Sequence, residues 1–152
     1  MTSHIKAGKY EEREMGMIRI VLASHGKLAD GMKDSVGIIA GSTERIQTLC
    51  AYTEGASSVD VLIDRLFSSA DPGDTYVVIT DVLGGSVNTE FAKKQRQYGY
   101  SLVFGMNLAL VLEILQINDA EDIQARLSEI VENNKNFIGC FVQSAEEETE
   151  DF

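Results

Sequence analysis

The chain has 152 residues, 44% of them hydrophobic, which suits one compact domain with a real core and is too short for two ordinary ones. Its 24 acidic against 13 basic residues give a formal charge of -11, which weighs against nucleic acid as a partner because a phosphate backbone selects for a basic stripe. No apolar run approaches the roughly 20 residues of a membrane-spanning helix and the start is too polar for a signal peptide, so a cytoplasmic protein is expected.

Residues 1–16 lack sustained periodicity and read as a leader or disordered segment outside the domain. Met17 to Ala23 is almost uninterrupted apolar with β-branched Ile18, Ile20 and Val21, as in a strand buried on both faces, and Ser24-His25-Gly26 breaks it. Leu28, Met32, Val36 and Ile39 then recur at helical intervals up to Ala40, and Gly41 supplies a stop. Ile46 to Ala51 is a second short apolar run. After Gly55 to Ser58, with a serine as N-cap, comes an amphipathic stripe of Val59, Leu62, Ile63, Leu66 and Phe67.

Asp71-Pro72-Gly73-Asp74 is a strong turn signal before a third strand, Thr75 to Thr80. A helix is expected from about Ser86 to Gln97, a fourth strand over Ser101 to Phe104, and a helix from Leu108 to about Leu115 with Asn107 as its N-cap. Ala120 to Glu132 repeats helical spacing, Asn133 to Asn136 breaks it, and Phe137 to Val142 reads as a last short strand. Residues 143–152 form an acidic tail. Cys50 and Cys140 lie in apolar segments with no metal or redox spacing and read as buried free thiols.

Strand and helix alternating at this rhythm predict one α/β domain over residues 17–142, doubly wound, with a mostly parallel sheet covered by helices on both faces. The last strand is expected either antiparallel at an edge or paired with a second subunit. Ligands of such sheets bind beyond the carboxyl ends of the strands, near the point where the winding reverses. His25 and Asp81 both fall at such ends.

His25 is the only histidine of the predicted domain and precedes a glycine that lets backbone approach closely. It fits a plain turn residue, yet imidazole is also the side chain best suited to act as a neutral nucleophile near pH 7. Asp81 fits a helix cap. If its strand neighbours that of His25, it can instead accept a hydrogen bond from one ring nitrogen and present the lone pair of the other. Gly84 and Gly85 fit either an ordinary turn or a concavity of N–H groups, with the Ser86 hydroxyl at the positive end of the next helix, suited to a phosphoryl group. There is no GxxxxGK[ST] loop, no GxGxxG after a strand and no acidic cluster for magnesium, so neither metal nor cofactor is expected. Transfer between phosphohistidines needs none of these, because the donor is already activated.

SHGKLADGM after the first strand, DVLGGSVN after the third and GMNLALVLE after the fourth together resemble the IIA component of the mannose-type family of the bacterial phosphoenolpyruvate-dependent sugar phosphotransferase system. The likeness runs from about Met17 to Val142 in order and spacing. It implies a doubly wound α/β homodimer that accepts a phosphoryl group on a histidine from the phosphocarrier HPr and passes it to a IIB component. Membrane contact then comes only through the transporter complex. Carried over by position, the phosphorylated histidine is His25, its acidic partner Asp81, and the phosphoryl-binding turn Gly84, Gly85 and Ser86, with Asn88 and Asn107 in supporting roles. The family commonly has proline where this chain has Val87 and Ala109, a departure that bears on rigidity more than chemistry. Two other readings are the phosphoryl-transfer subunit of a dihydroxyacetone kinase system and a non-catalytic regulatory α/β module.

Overall fold

The computed structural model describes residues 16–144. Apart from Gly16, Gln143 and Ser144, the expected leader and acidic tail lie outside the described residues. Four strands, β1 (Ile18–His25), β2 (Ile46–Ala51), β3 (Thr75–Thr80) and β4 (Ser101–Phe104), form one sheet of order β2-β1-β3-β4, every neighbouring pair parallel. The helices are α1 (Leu28–Ala40), α2 (Val59–Ser68), α3 (Ser86–Tyr98), α4 (Leu108–Leu115) and α5 (Ile123–Asn134), followed by a 3-10 turn, Lys135–Phe137. Among the described residues no helix is long and apolar enough to cross a membrane.

The two-residue period of the strands explains the two cores. Ile18, Ile20 and Leu22 of β1 pack with Val77 and Ile79 of β3 on the face covered by α1, α4 and α5. Val21 and Ala23 of β1 pack with Val78 of β3 on the other face, under Ile63 and Phe67 of α2 and Val87 and Phe91 of α3. The middles of both inner strands, Ile20 to Ala23 of β1 and Val77 to Ile79 of β3, are therefore apolar at every position, the continuous run visible in the sequence. Each fully buried branched side chain contributes roughly 1.5–3 kcal/mol over leaving it in water, which is what holds the sheet between its layers.

The winding reverses between β1 and β3. The chain steps from β1 outward to β2, then returns across β1 to lay down β3 and continues to β4. His25 ends β1 and Asp81 follows β3 directly, so the two stand on either side of that switch point.

Two expectations need correction. Phe137 to Val142 pairs with no strand of its own chain: Phe137 closes the 3-10 turn, Ile138 to Val142 have no regular structure, and Phe137, Ile138, Phe141 and Val142 are exposed. Helix α5 begins later and ends later than its spacing suggested, because the Asp122 carboxylate caps the N–H groups of Gln124 and Ala125, and Asn134 turns inward instead of stopping the helix. The cysteines also differ from expectation: Cys50 is half-buried and Cys140, in the irregular segment after the 3-10 turn, is exposed.

Candidate functional site

The register of β1 against its two neighbours makes the site. The β1–β3 ladder ends at Ala23 opposite Thr80, while β1 runs on beside β2 with Ser24 opposite Cys50 and His25 opposite Ala51. At the β3 side of His25 the carboxylate of Asp81 takes the place of a strand. Its Oδ2 accepts the His25 backbone N–H at 2.8 Å and lies 2.7 Å from imidazole Nδ1. Its Oδ1 accepts the N–H of Val82 at 2.9 Å.

Burial pushes the Asp81 carboxyl up, but the hydrogen bonds from the His25 backbone and imidazole and from the Val82 N–H outweigh it and leave the group below the usual aspartate value. An ionised carboxylate only accepts, so Nδ1 carries the proton and, in the neutral ring, Nε2 carries the lone pair. Nε2 faces the Ser86 hydroxyl at 3.1 Å. The imidazole remains accessible, with 42% of its side-chain surface exposed against 10% for the Asp81 side chain. An accessible ring nitrogen with a carboxylate held behind the ring is an arrangement that group transfer can use.

Gly84 and Gly85 are glycines for different reasons. Gly84 has φ 76°, the left-handed region that side chains avoid. Gly85 has an ordinary φ, but a Cβ there would lie 2.8 Å from Val82 Cγ1 and 3.1 Å from His25 Cε1. The loop thus touches the imidazole with bare backbone.

The glycine N–H groups do not form the expected concavity. Gly84 N–H donates to Asn88 Oδ1 at 3.1 Å and Gly85 N–H to the Val82 carbonyl at 3.2 Å. The open donors lie one step further on, in the first turn of α3, whose N-cap Gly85 has no side chain to occupy them. Together with the Ser86 hydroxyl, 3.1 Å from Nε2, they are the kind of donors that favour an anion.

Asn88 is buried and braces this turn: its amide donates to Thr80 Oγ1 at 2.9 Å while its carbonyl accepts from Gly84. Asn107 does not join the site. It caps α4 by accepting the Leu110 N–H at 2.9 Å and donates to Asn134 Oδ1 at 2.8 Å. Two further residues shape the site, Ser24 from the motif around His25 and Tyr52 from no motif. Ser24 Oγ, fully buried, accepts the Ala29 N–H at 2.8 Å and donates to the Gly26 carbonyl, fixing the turn after His25. Tyr52, just past β2, stacks on the imidazole with ring centroids 5.5 Å apart. Among the described residues no group of three or more His, Cys, Asp or Glu could hold a metal ion.

Comparison with known proteins follows the same frame. The profile of a family described as "PTS system fructose IIA component" matches residues 19–131. A phosphoenolpyruvate-dependent sugar phosphotransferase system permease from Klebsiella pneumoniae is similar in structure at TM-score 0.77 and 31% identity, over 84% of this chain and 93% of its own. Component EIIA of the phosphotransferase system from Streptococcus agalactiae is similar at TM-score 0.70 and 25% identity, over 82% and 97%. A mannose/sorbose-specific IIA subunit from Enterococcus faecalis, at 19% identity and TM-score 0.69 over 84% and 97%, shares the fold. The chain belongs to the mannose- and fructose-type IIA family of the phosphotransferase system.

Proposed function

We propose that the protein is the phosphoryl carrier of a sugar phosphotransferase system, taking the group from phosphorylated HPr on His25 and passing it to a IIB component. The observation that carries this reading is the line from Asp81 through the imidazole to Ser86, ending at the uncapped N-terminus of α3. The Nε2 lone pair forms the new N–P bond as the P–N bond of the donor phosphohistidine breaks. The donor ring keeps the bonding electrons and departs as neutral imidazole, while the His25 ring becomes cationic. Asp81, ionised and hydrogen-bonded to Nδ1–H, opposes that charge. The Ser86 hydroxyl and the first-turn N–H groups of α3 receive the phosphoryl oxygens.

Docking of HPr and then of IIB fits the surface around the imidazole. Leu28, Tyr52, Val82, Leu83 and Phe104 are exposed near the carboxyl ends of the strands, an apolar rim that excludes water when a partner closes on it. The exposed apolar side chains Phe137, Ile138, Phe141 and Val142 support a homodimer in which this segment packs on a second copy. Contact with the membrane then comes through the transporter complex.

Incubation with phosphoenolpyruvate, enzyme I and HPr tests the reading. The protein is expected to take up one acid-labile, base-stable phosphoryl group that moves on to IIB, and His25→Ala to take up none. Label on the alanine variant would overturn the assignment of His25.

A further inference from the structure

Tyr52 belongs to no motif, yet it is the one non-glycine residue among those described with a left-handed backbone, at φ 61°. A bulky aromatic residue adopts that conformation only where its surroundings hold it there. Burial is not what holds it, because the residue is 64% exposed. Its contacts are the site itself: the ring lies over the His25 imidazole at 25° between planes, and the hydroxyl donates to Ser86 Oγ at 2.7 Å. Donation therefore runs in one direction through four side chains, from Tyr52 to Ser86, from Ser86 to Nε2 of His25, and from its Nδ1–H to Asp81.

In the resting protein this chain occupies the lone pair that must attack phosphorus. The Ser86 proton has to leave Nε2 as the N–P bond forms, and a phosphoryl oxygen then needs a donor at nearly the same place. A serine held only by its own rotamer would turn its oxygen away. Building on the carrier reading above, we propose that Tyr52 is a positioning residue for phosphoryl transfer, holding Ser86 Oγ so that only the serine proton changes partner, from Nε2 to a phosphoryl oxygen. Donation from Tyr52 also strengthens Ser86 as a donor, since successive hydrogen bonds polarise one another. The stacked ring restrains the imidazole about its bond to the backbone and leaves Nε2 facing Ser86.

Tyr52→Phe keeps the ring and removes the hydroxyl. Rapid-quench transfer from phosphorylated HPr is expected to be about tenfold slower in this variant, with half-saturation by HPr unchanged. The double variant with Ser86→Ala is expected to be no slower than Ser86→Ala alone, because the tyrosine acts through the serine. In the resting protein, Tyr52→Phe is expected to shift the 15N resonance of His25 Nε2 and to leave that of Nδ1 in place. A Tyr52→Phe rate equal to wild type, or losses that multiply in the double variant, would overturn the role of Tyr52 while leaving the carrier reading intact. Wild-type protein that accepts no phosphoryl group would instead overturn the carrier reading.

Discussion

The turns that follow β3 and β4 are built from nearly the same parts and do opposite things. Each has a glycine in the left-handed region, Gly84 at φ 76° and Gly105 at φ 80°, and each leads into a helix with an asparagine close by. After β4, Asn107 stands at the N-cap itself, and its carbonyl oxygen closes the helix start by accepting the Leu110 N–H. After β3 the asparagine lies inside the helix, at Asn88, and reaches backward to grip Gly84 and Thr80. Bare Gly85 is left at the N-cap of α3. One helix terminus is plugged by its own side chain, and the other is open toward His25. In this fold a strand-to-helix turn keeps its first N–H groups free when its capping position is vacated and its loop is braced from behind.

The largest loss should come from the acid that makes the open turn a site. Asp81→Asn keeps an acceptor for Nδ1–H but loses the charge, and transfer to His25 is expected to slow by roughly 100-fold or more at unchanged fold. The same substitution has a signature in acid. Hydrogen bonds hold the folded Asp81 carboxyl below its ordinary value, so the stability it contributes is fully present above about pH 4 and is lost as pH falls through the folded value. Acid titration of unfolding free energy should therefore be less steep in Asp81→Asn than in wild type, and equal slopes would mean the carboxylate is not held as described.

A smaller loss is expected from Gly85→Ala. The added methyl meets Val82 Cγ1 and His25 Cε1, so the loop must shift against the imidazole. Transfer should slow by about tenfold with a stability cost of about 1 kcal/mol. Unchanged transfer would show that the loop does not set the ring position.

Smallest of all in transfer, and therefore the control for the comparison, is Asn107→Ala. Losing the α4 cap and the partner of buried Asn134 should lower unfolding free energy by about 1–2 kcal/mol and change the transfer rate by less than about twofold. A large kinetic effect would place the β4 turn inside the site after all.

Much of this frame is legible in the linear chain, because physical signals at the strand ends agree. The apolar runs of β1 and β3 stop at His25 and Asp81, and the positive-φ glycines Gly41, Gly84 and Gly105 mark turns. The pairing of His25 with Asp81 follows once β1 and β3 are neighbours. What stayed hidden depends on contacts with no sequence period. Tyr52 reaches the imidazole only because β2 lies beside β1 and the chain turns through a left-handed residue at its end. A polar aromatic residue immediately after a strand parallel to the histidine strand was the one available hint. The commitment of the glycine N–H groups depends on the Asn88 side chain folding back over the turn. Asn134 read as a helix breaker by composition, but a buried asparagine with an amide partner on Asn107 satisfies its hydrogen bonds within the helix. The segment from Phe137 to Val142 has the composition of a strand and pairs with no strand of its own chain, because composition does not say where a strand's partner lies.

Under the proposed transfer the reacting lone pair is on one atom, Nε2 of His25, with Nδ1 committed to Asp81. Phosphorylation of 15N-histidine-labelled protein by enzyme I and HPr, followed by NMR of the phosphorus-to-nitrogen coupling, reads that atom directly. A single phosphohistidine at His25 with phosphorus bonded to Nε2 is expected; phosphorus on Nδ1, or on any other residue, would overturn the proposed transfer.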